Sequence, residues 1–584
     1  MEARTSGGEL LLIAVAASAS LLGGVVWAGA WLGSLVTGGI FEASFGDALA
    51  AAVHLPESIA DPARAWPSDV ERALPSAPVY WLTTAVVGAV AVALVVLGYR
   101  LFGRARVGSA RRRPLGVDAR ARFATRHDLR PLIVSGPLPG RFPLGQCRGR
   151  LLATEDGAHG GRKRRTGDRG AVALVGPSRS GKTTAAVTGI LEWDGPAILS
   201  SVKADLLGAT AGWRRDKGDV RVYDPTGTTP STSNARWSPL RGASSTIGAQ
   251  RAARSLCDAA PRSGVEGGMD FWLAQAEILL SGLLWTAHHA KRDMAAVAEW
   301  VLSQDRPGEL GPGDVRCAVD ILFASTDPEI AGAAAEALRS LLSIWELEER
   351  TRASVYATAQ TIVWPWADPG VARSAQKPNV DLAWLLGGTN TVYLCAPIED
   401  QQRLAPAFGG LLNDLIKQVY LHVSRTGRPL DPPLLVVIDE AGNTPLRSLP
   451  EYASTLAGLG VLLVTIWQSI AQLEAAYGRQ ADTVLTNHLS KLFYAGLSDP
   501  ASLRYVAQVL GDAEVETRSQ SSDTSGARGS SQLSTTRAAL APAHALRQMR
   551  PGDALLIHGT LPPAHLRTRP YYRDRELTRR AALT

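Results

Sequence analysis

The chain has 584 residues, a formal net charge of +7, and 46% hydrophobic against 20% charged residues. This length exceeds what one hydrophobic core supports, so we expect two or three domains. An apolar share this high beside so few charges indicates that part of the chain lies in lipid. The four cysteines, Cys147, Cys257, Cys317 and Cys395, are widely separated, which argues against a disulfide framework or a structural zinc site.

Two segments have the length and composition of membrane-spanning helices. Residues 10–36 contain no charged residue, and residues 80–99 form a second apolar run that begins with Tyr80 and Trp81. Each run is long enough to cross a bilayer, and aromatic residues such as these are enriched where a membrane meets water. A cleaved signal peptide is the alternative for the first run, but its apolar core is too long. We predict a membrane anchor over residues 1–103, with an external loop between the spans.

Positive charge is concentrated on one side of the second span. Six arginines follow it closely: Arg100, Arg104, Arg106, Arg111, Arg112 and Arg113. The loop between the spans carries only Arg64 and Arg72 among several acids. Because basic residues remain on the cytoplasmic side, we predict that both termini and the region after the second span are cytoplasmic, and that the loop 37–78 is external. The arginines could also contact lipid headgroups or nucleic acid, although topology alone explains them.

After the anchor, the sequence predicts a connector and then an α/β domain. Residues 104–169 mix Pro, Gly and Arg and include the basic run 162–165, which indicates a basic connector. Apolar runs predict strands at 171–175, 197–202, 220–223, 391–395, 434–438, 460–466 and 491–495. Helical stretches separate them, which is typical of a mostly parallel sheet with helices on both faces. We assign residues 170–244 and 380–584 to this α/β domain.

Two segments of the chain depart from this alternation. Residues 245–379 are rich in Ala and Leu at helical spacing, with no β-branched runs, so we predict an inserted all-α domain. Residues 516–536 are rich in Ser, Thr and Gly and contain too few apolar residues to pack, so we predict a mobile loop there.

The most informative motif is the segment 176–183, here called the phosphate loop. It fits the nucleotide-binding pattern Gly-x4-Gly-Lys-Thr and stands between a predicted strand and a helix-prone segment, which is the context that the motif requires. The predicted ATP-binding residues are Gly176, Pro177, Ser178, Arg179, Ser180, Gly181, Lys182, Thr183 and Thr184. The loop's N–H groups and the helix dipole suit an anion, Lys182 would reach the β- and γ-phosphates, and the Thr183 hydroxyl would bind Mg²⁺.

Two further polar sites follow predicted strands. Asp439 and Glu440 come directly after the apolar run 434–438, which places them at the carboxyl edge of the sheet beside the phosphate loop. Asp439 would bind Mg²⁺, and Glu440 would act as the base that polarises the attacking water. Gln468 ends the strand that follows, where a sensor of the γ-phosphate would lie between the two loops. The catalytic residues predicted are therefore Lys182, Glu440 and Gln468.

These motifs together resemble the type IV coupling proteins, the TraG/TraD-like membrane ATPases of bacterial conjugation. The resemblance rests on the two spans, the phosphate loop, and segments 201–206, 223–225, 235–240, 439–443, 468–473, 561–563 and 569–572. It implies a RecA-like motor domain with a helical insertion, assembled as a homo-hexameric ring at the bacterial inner membrane. It also implies that the ring recruits a relaxase-bound DNA single strand and passes it to the components of a type IV secretion channel.

The chain departs from the family pattern at two places. Ser201 and Val202 precede Lys203 where many members have an acid. Members often carry an arginine about eleven residues before the sensor glutamine, as a finger that reaches the neighbouring subunit's ATP, but this chain has Ala457 there. A finger in trans contributes several orders of magnitude to hydrolysis. Either another arginine, such as Arg447 or Arg504, replaces it, or the motor is slow or depends on a partner's arginine.

Two other functions fit the same motifs. An FtsK-like double-stranded DNA translocase shares the motor and the anchor, but the helical insertion and the closing motifs fit it less well. A docking receptor that binds ATP with little turnover, and whose helical insertion recognises secreted proteins, agrees with the absent arginine. DNA-stimulated ATP hydrolysis distinguishes the motor from the receptor.

Overall fold

The computed structural model describes residues 7–98, 121–155, 170–201, 204–227, 229, 232–260, 269–309, 311–395, 399–443, 446–521 and 530–583. The chain divides into two compact units, residues 1–119 and residues 120–584. The basic runs 100–113 and 162–165, and also Val202 and Lys203, lie outside the described residues.

The first unit is helical. Its helices are α1 (Gly7–Thr37), α2 (Phe45–His54), α3 (Ser68–Glu71) and α4 (Ala77–Gly98), with 3-10 turns at Leu55–Glu57 and Pro62–Ala65. Two stretches, Ser18–Thr37 in α1 and Ala77–Leu97 in α4, are long and apolar enough to cross a membrane. They overlap the spans expected from the sequence.

The two long helices pack closely through small residues. The Thr83 hydroxyl donates a 2.8 Å hydrogen bond to the carbonyl oxygen of Gly29 on the facing helix. A Cβ atom added at Gly29 would lie only 2.6 Å from the Cα atom of Thr84, so no larger residue fits there. Close contact at small residues is the usual way in which helices associate in lipid, where apolar burial gives no driving force. The segment between the helices packs on their ends, since the Trp66 Nε1–H donates to the Tyr80 hydroxyl at 3.2 Å.

We expect Gly29→Val to open this helix pair. The added side chain overlaps Thr84, and overpacking of this kind costs about 1–3 kcal/mol. Hydrogen exchange of the full-length chain in detergent should show faster exchange over residues 38–76. Gly24→Val on the same helix is the matched control, because its Cβ would have no neighbour closer than 4.0 Å. Equal exchange in the two variants would show that the Gly29 contact does not hold the helices together.

The second unit is built on a mixed sheet. Its strands are β1 (Ile133–Val134), β2 (Pro143–Cys147), β3 (Arg150–Ala153), β4 (Val172–Val175), β5 (Ala197–Ser201), β6 (Val220–Tyr223), β7 (Thr391–Cys395), β8 (Leu434–Ile438), β9 (Val461–Trp467), β10 (Ser490–Tyr494), β13 (Asp553–His558) and β14 (Ala564–Arg567). Strands β11 (Asp512–Ser521) and β12 (Ser530–Ala539) form a separate antiparallel pair. The sheet order is β1-β3-β2-β14-β13-β10-β4-β9-β8-β5-β7-β6.

Seven neighbouring strands, from β10 to β6, run parallel. They are the seven strands expected from apolar runs, and each begins and ends within two residues of its expected bounds. Val436 and Val437 of β8 are both fully buried, and they belong to the hydrophobic cores on opposite faces of the sheet. Because both faces are buried, the strand is a continuous apolar run. Strand β9 lies between β4 and β8, so the carboxyl ends of all three meet at one edge.

Two expectations about chain organisation were wrong. Residues 133–153, expected in the connector, contribute β1, β2 and β3 to the main sheet. These strands have only two to five residues and pair as an antiparallel extension of the sheet. Strands this short do not produce an apolar pattern that can be recognised in the sequence. Residues 516–521 and 530–536, expected in a mobile loop, belong to the ribbon formed by β11 and β12. Main-chain hydrogen bonds between β11 and β12 define that pair.

Helices cover both faces of the sheet. They are α5 (Lys182–Glu192), α6 (Asp205–Lys217), α7 (Thr246–Asp258), α8 (Met269–His289), α9 (Met294–Leu302), α10 (Asp314–Phe323), α11 (Pro328–Trp345), α12 (Glu349–Val363), α13 (Pro369–Ser374), α14 (Leu382–Leu386), α15 (Gln401–Thr426), α16 (Leu449–Thr455), α17 (Ile470–Tyr477), α18 (Ala481–Asn487), α19 (Pro500–Leu510), α20 (Ala543–Arg547) and α21 (Arg575–Ala581). Helices α7 to α14 fill the described part of the chain between β6 and β7. Trp285 and Trp366 of this region share one core with the sheet residue Val436.

Candidate nucleotide-binding site

The phosphate loop is a tight turn between β4 and α5. Gly181 has φ 101° and Arg179 has φ 63°, so the backbone turns into the left-handed region twice within three residues. Such turns direct successive N–H groups toward one point and form an anion-binding concavity. A Cβ atom at Gly176 would lie 2.8 Å from the Cβ atom of Tyr494 and 2.9 Å from the Ser180 hydroxyl, so only glycine fits there.

Lys182 is held inside this loop. Its side chain is 8% exposed, and its ammonium donates to the carbonyl oxygens of Gly176 and, at 2.8 Å, of Pro177. Burial lowers the pKa of Lys182 to about 8, while Asp439 and Glu440 act in the opposite direction. The ammonium therefore stays mainly protonated at neutral pH and places a positive charge at the centre of the loop.

Asp439 and Glu440 face this charge from the end of β8. The Asp439 N–H donates to the carbonyl oxygen of Ser200 at 3.0 Å, which continues the pairing of β8 with β5. Burial, and after it the adjacent Glu440, raises the pKa of Asp439 to about 6, with Lys182 opposing. Glu440 has φ 51°, a conformation that costs a non-glycine residue roughly 1–2 kcal/mol and that clusters at functional sites.

One cavity of about 560 Å³ joins these groups. Its lining includes residues 178–184, Asp205, Asp439, Glu440, Ile466, Trp467, Gln468, Pro551, Gly552, Arg567, Thr568, Pro570, Tyr572 and Arg573. Every predicted site residue except Gly176 and Pro177 therefore lines it, and these two form the start of the loop. Gln468 follows β9 and lies between the phosphate loop and the acids, as the strand order requires.

Sequence reasoning missed the wall of the cavity formed by the C-terminal segment. Arg567, Thr568, Tyr572 and Arg573 line it, and Tyr572 is 58% exposed. The segment docks on α5, where the Thr188 hydroxyl donates to the carbonyl oxygen of Arg569 at 2.9 Å. The only signal in the sequence was the run 569–572, which was used for the resemblance but not for the site. Asp205 at the start of α6 was also missed.

The residues at the cavity fit a nucleotide with Mg²⁺. The Ser180 hydroxyl is buried and has no hydrogen-bond partner among the described residues, which leaves it to a ligand in the loop. The buried ammonium of Lys182 and the concave backbone suit phosphate oxygens. The oxygen ligands of Thr183 and Asp439 suit Mg²⁺, which prefers a carboxylate together with substrate phosphates.

The structure does not place an arginine at the expected finger position. Ala457 lies in the turn Leu456–Leu459, outside the residues that line the cavity. Arg447 forms an ion pair with Asp270, and Arg504 is exposed on α19. Neither arginine lines the cavity of its own chain.

A buried histidine supports the strand that carries Gln468. His488 is fully buried, and its Nε2 atom lies 2.9 Å from the Thr465 hydroxyl on β9. The same hydroxyl accepts a 2.8 Å hydrogen bond from the Trp467 Nε1–H. Burial, assisted by the charge of Lys491, lowers the pKa of His488 to about 4.

We expect this histidine to destabilise the second unit in acid. Between pH 6.5 and 4 the unfolded chain binds a proton that the folded chain excludes, so stability falls as the pH falls, by roughly 3 kcal/mol in total. Urea unfolding of the full-length chain in detergent should show this decline, and His488→Gln should reduce it. His422→Gln, at an exposed site on α15, is the control. An unchanged pH dependence in His488→Gln would contradict the prediction.

Comparisons with known proteins identify the family of this chain. The family model for Type IV secretory system Conjugative DNA transfer matches residues 146–583. Conjugal transfer protein TraG of Escherichia coli is 23% identical over 452 residues, which cover 70% of this chain and 68% of the relative. Protein VirD4 of Rhizobium radiobacter is 24% identical over 418 residues, which cover 70% of this chain and 57% of the relative.

Solved structures show the same fold. The trigonal form of the bacterial conjugative coupling protein TrwBdeltaN70, in complex with sulphate, superposes with a TM-score of 0.55 at 17% identity and covers 79% of this chain and 96% of that chain. The plasmid coupling protein TrwB in complex with ADP and Mg²⁺ gives a TM-score of 0.50 at 16% identity, covering 74% of this chain and 94% of that chain. Because the family model matches more than half of the chain, the chain belongs to the conjugative DNA transfer family of type IV secretion systems, whose members are the coupling proteins.

Proposed function

We propose that the chain is a membrane-anchored ATPase that couples ATP hydrolysis to the recruitment and translocation of DNA, protein substrates or both through a type IV secretion channel. One observation carries the proposal: a single cavity joins the phosphate loop, the two acids after β8 and Gln468 after β9. Phosphoryl transfer to water needs this combination of a phosphate cradle, a metal-binding carboxylate and a group that orients water.

Each of these residues has one role in the proposed reaction. Thr183 and Asp439 hold Mg²⁺, which when bound neutralises charge on the phosphates. Lys182 binds the β- and γ-phosphate oxygens, and Glu440 orients the attacking water in line and accepts its proton. Gln468 contacts the γ-phosphate and relays its presence to the loop after β9. The TrwB complexes with ADP and Mg²⁺ and with a non-hydrolysable ATP analogue support this choice of ligands.

The partners and location are proposed from the family and from the anchor. The helices that contain Ser18–Thr37 and Ala77–Leu97 cross the bacterial inner membrane, in contact with lipid, and both termini and the motor are cytoplasmic. Copies of the chain form a homo-hexamer that receives a relaxase-bound DNA single strand and delivers it to components of the secretion channel. A basic channel would hold such a strand by salt-sensitive contacts with its phosphates.

Ala457 favours a second candidate function. A chain without a finger arginine could bind ATP and dock secreted proteins with little turnover. The two functions differ in steady-state turnover. Full-length chain in lipid nanodiscs should hydrolyse ATP faster when single-stranded DNA is added, and the stimulation should weaken with salt. Tight ATP binding with no turnover under any DNA condition would favour the receptor, and stimulation by duplex DNA alone would favour an FtsK-like translocase.

A further inference from the structure

Glu440 is held by a side chain that the proposed mechanism does not use. The Asn443 Nδ2–H donates a 2.6 Å hydrogen bond to the Oε2 atom of Glu440. The backbone N–H of Asn443 also donates to the carbonyl oxygen of Glu440, at 2.9 Å. The carboxylate is therefore fixed through one of its two oxygens, by a residue on the same turn.

Asn443 is in turn connected to the loop that carries Gln468. The Gln472 Nε2–H donates to the Oδ1 atom of Asn443 at 3.4 Å, and the Oε1 atom of Gln472 accepts the backbone N–H of Gln468 at 2.9 Å. A Cβ atom at Gly442 would lie 2.6 Å from the Cγ and Nε2 atoms of Gln472, so this approach requires glycine at 442.

The chemistry at the two ends determines the direction of these hydrogen bonds. A backbone N–H can only donate, so Gln472 must present its oxygen to Gln468 and its amide nitrogen to Asn443. An ionised carboxylate can only accept, so Asn443 must present its nitrogen to Glu440 and its oxygen to Gln472. The two requirements agree, because each of them makes the Gln472 amide nitrogen the donor and the Asn443 amide oxygen the acceptor.

We propose that Asn443 and Gln472 are positioning residues that couple the orientation of the Glu440 carboxylate to the backbone of Gln468. The inference rests on the proposed function, in which Glu440 activates water and Gln468 contacts the γ-phosphate. A glutamate side chain has three rotatable bonds, and fixing it before reaction removes that entropy from the barrier. A shift of the loop after β9 changes the position of Gln472, and Asn443 then transmits that shift to the base.

The test uses steady-state ATP hydrolysis by the full-length chain in nanodiscs. Asn443→Ala should lower kcat by about 10- to 100-fold, the loss typical of a misplaced catalytic group, and leave the KM for ATP within a few-fold. Gln472→Ala should lower kcat less. The double variant should lose no more than Asn443→Ala alone, because both residues act through one series of hydrogen bonds.

Two controls keep the inference separate from the proposed function. Asn487→Ala removes an amide that, among the residues that the structure describes, donates only to the carbonyl oxygen of Thr483 in its own helix, so its kcat should match that of the unmodified chain. Glu440→Gln is measured beside the others: full activity there would overturn the role of Glu440 and this inference with it. Loss in Glu440→Gln together with normal kcat in Asn443→Ala and Gln472→Ala would overturn the inference alone. Losses that multiply in the double variant would also overturn it.

Discussion

Replacing Glu440 by glutamine is expected to lower the kcat for ATP hydrolysis by roughly 10²- to 10⁴-fold, the contribution of a positioned general base. The amide has nearly the same shape as the carboxylate but cannot accept a proton from water. Glu440 stands next to the buried Asp439 and lines the same cavity as Lys182. ATP binding should be retained, because Glu440 belongs to neither the phosphate loop nor the proposed metal ligands.

The measurement compares the unmodified full-length chain with Glu440→Gln, in kcat and in the affinity for a non-hydrolysable ATP analogue. Glu474→Gln is the matched control, since it makes the same chemical change at an exposed position of α17. Loss of kcat with intact binding separates the role of Glu440 in chemistry from a role in nucleotide binding. If Glu440→Gln turned over as fast as Glu474→Gln, the base would have to be another residue.

The parts of the site that follow apolar strands were predictable from the sequence. The phosphate loop, Asp439 and Gln468 each come directly after a fully buried strand of the parallel sheet. Such strands are buried on both faces, so they appear in the sequence as continuous apolar runs. Because their carboxyl ends meet at one edge, a residue's position after a strand indicates its place in the site.

The C-terminal wall of the cavity was not predictable in this way. Strand β14 has four residues with alternate burial, which gives a weak apolar pattern, and Arg567 is its last residue. The contact that positions the following segment joins Arg569 to Glu192, which are 377 residues apart. No local pattern indicates a contact between two charged residues so distant in the chain. The hydrogen bonds that connect Glu440 to Gln468 through Asn443 and Gln472 were missed for a related reason, because they depend on side-chain orientation and not on spacing.

Arg569→Ala is the second substitution for which we expect a large effect. The Arg569 guanidinium forms ion pairs with Glu192 at the end of α5 and, at 2.6 Å, with Asp574. The Glu192 side chain is 2% exposed, and its Oε2 atom has no hydrogen-bond partner among the described residues. Removing the arginine takes away the ion-pair partner of a buried carboxylate and leaves it only the more weakly acting Arg580, which costs up to roughly 3–5 kcal/mol. The KM for ATP should also rise, because residues 568–573 lose one of the two attachments to α5 that they make among the described residues, and keep only the Thr188 hydrogen bond.

The pH dependence of this loss identifies its cause. Burial raises the pKa of Glu192, whereas Arg569 acts to lower it. Without the arginine, the folded chain holds a proton on Glu192 that the unfolded chain releases, so the stability of the variant should fall further as the pH rises above about 5. Hydrogen exchange over α5 measures this local stability, and Glu192→Gln added to Arg569→Ala should restore part of it and remove the pH dependence. Arg579→Ala, in an exposed pair with Glu576, should change little. A loss that did not vary with pH, and that Glu192→Gln did not relieve, would mean that Arg569 stabilises the segment by packing and not by charge.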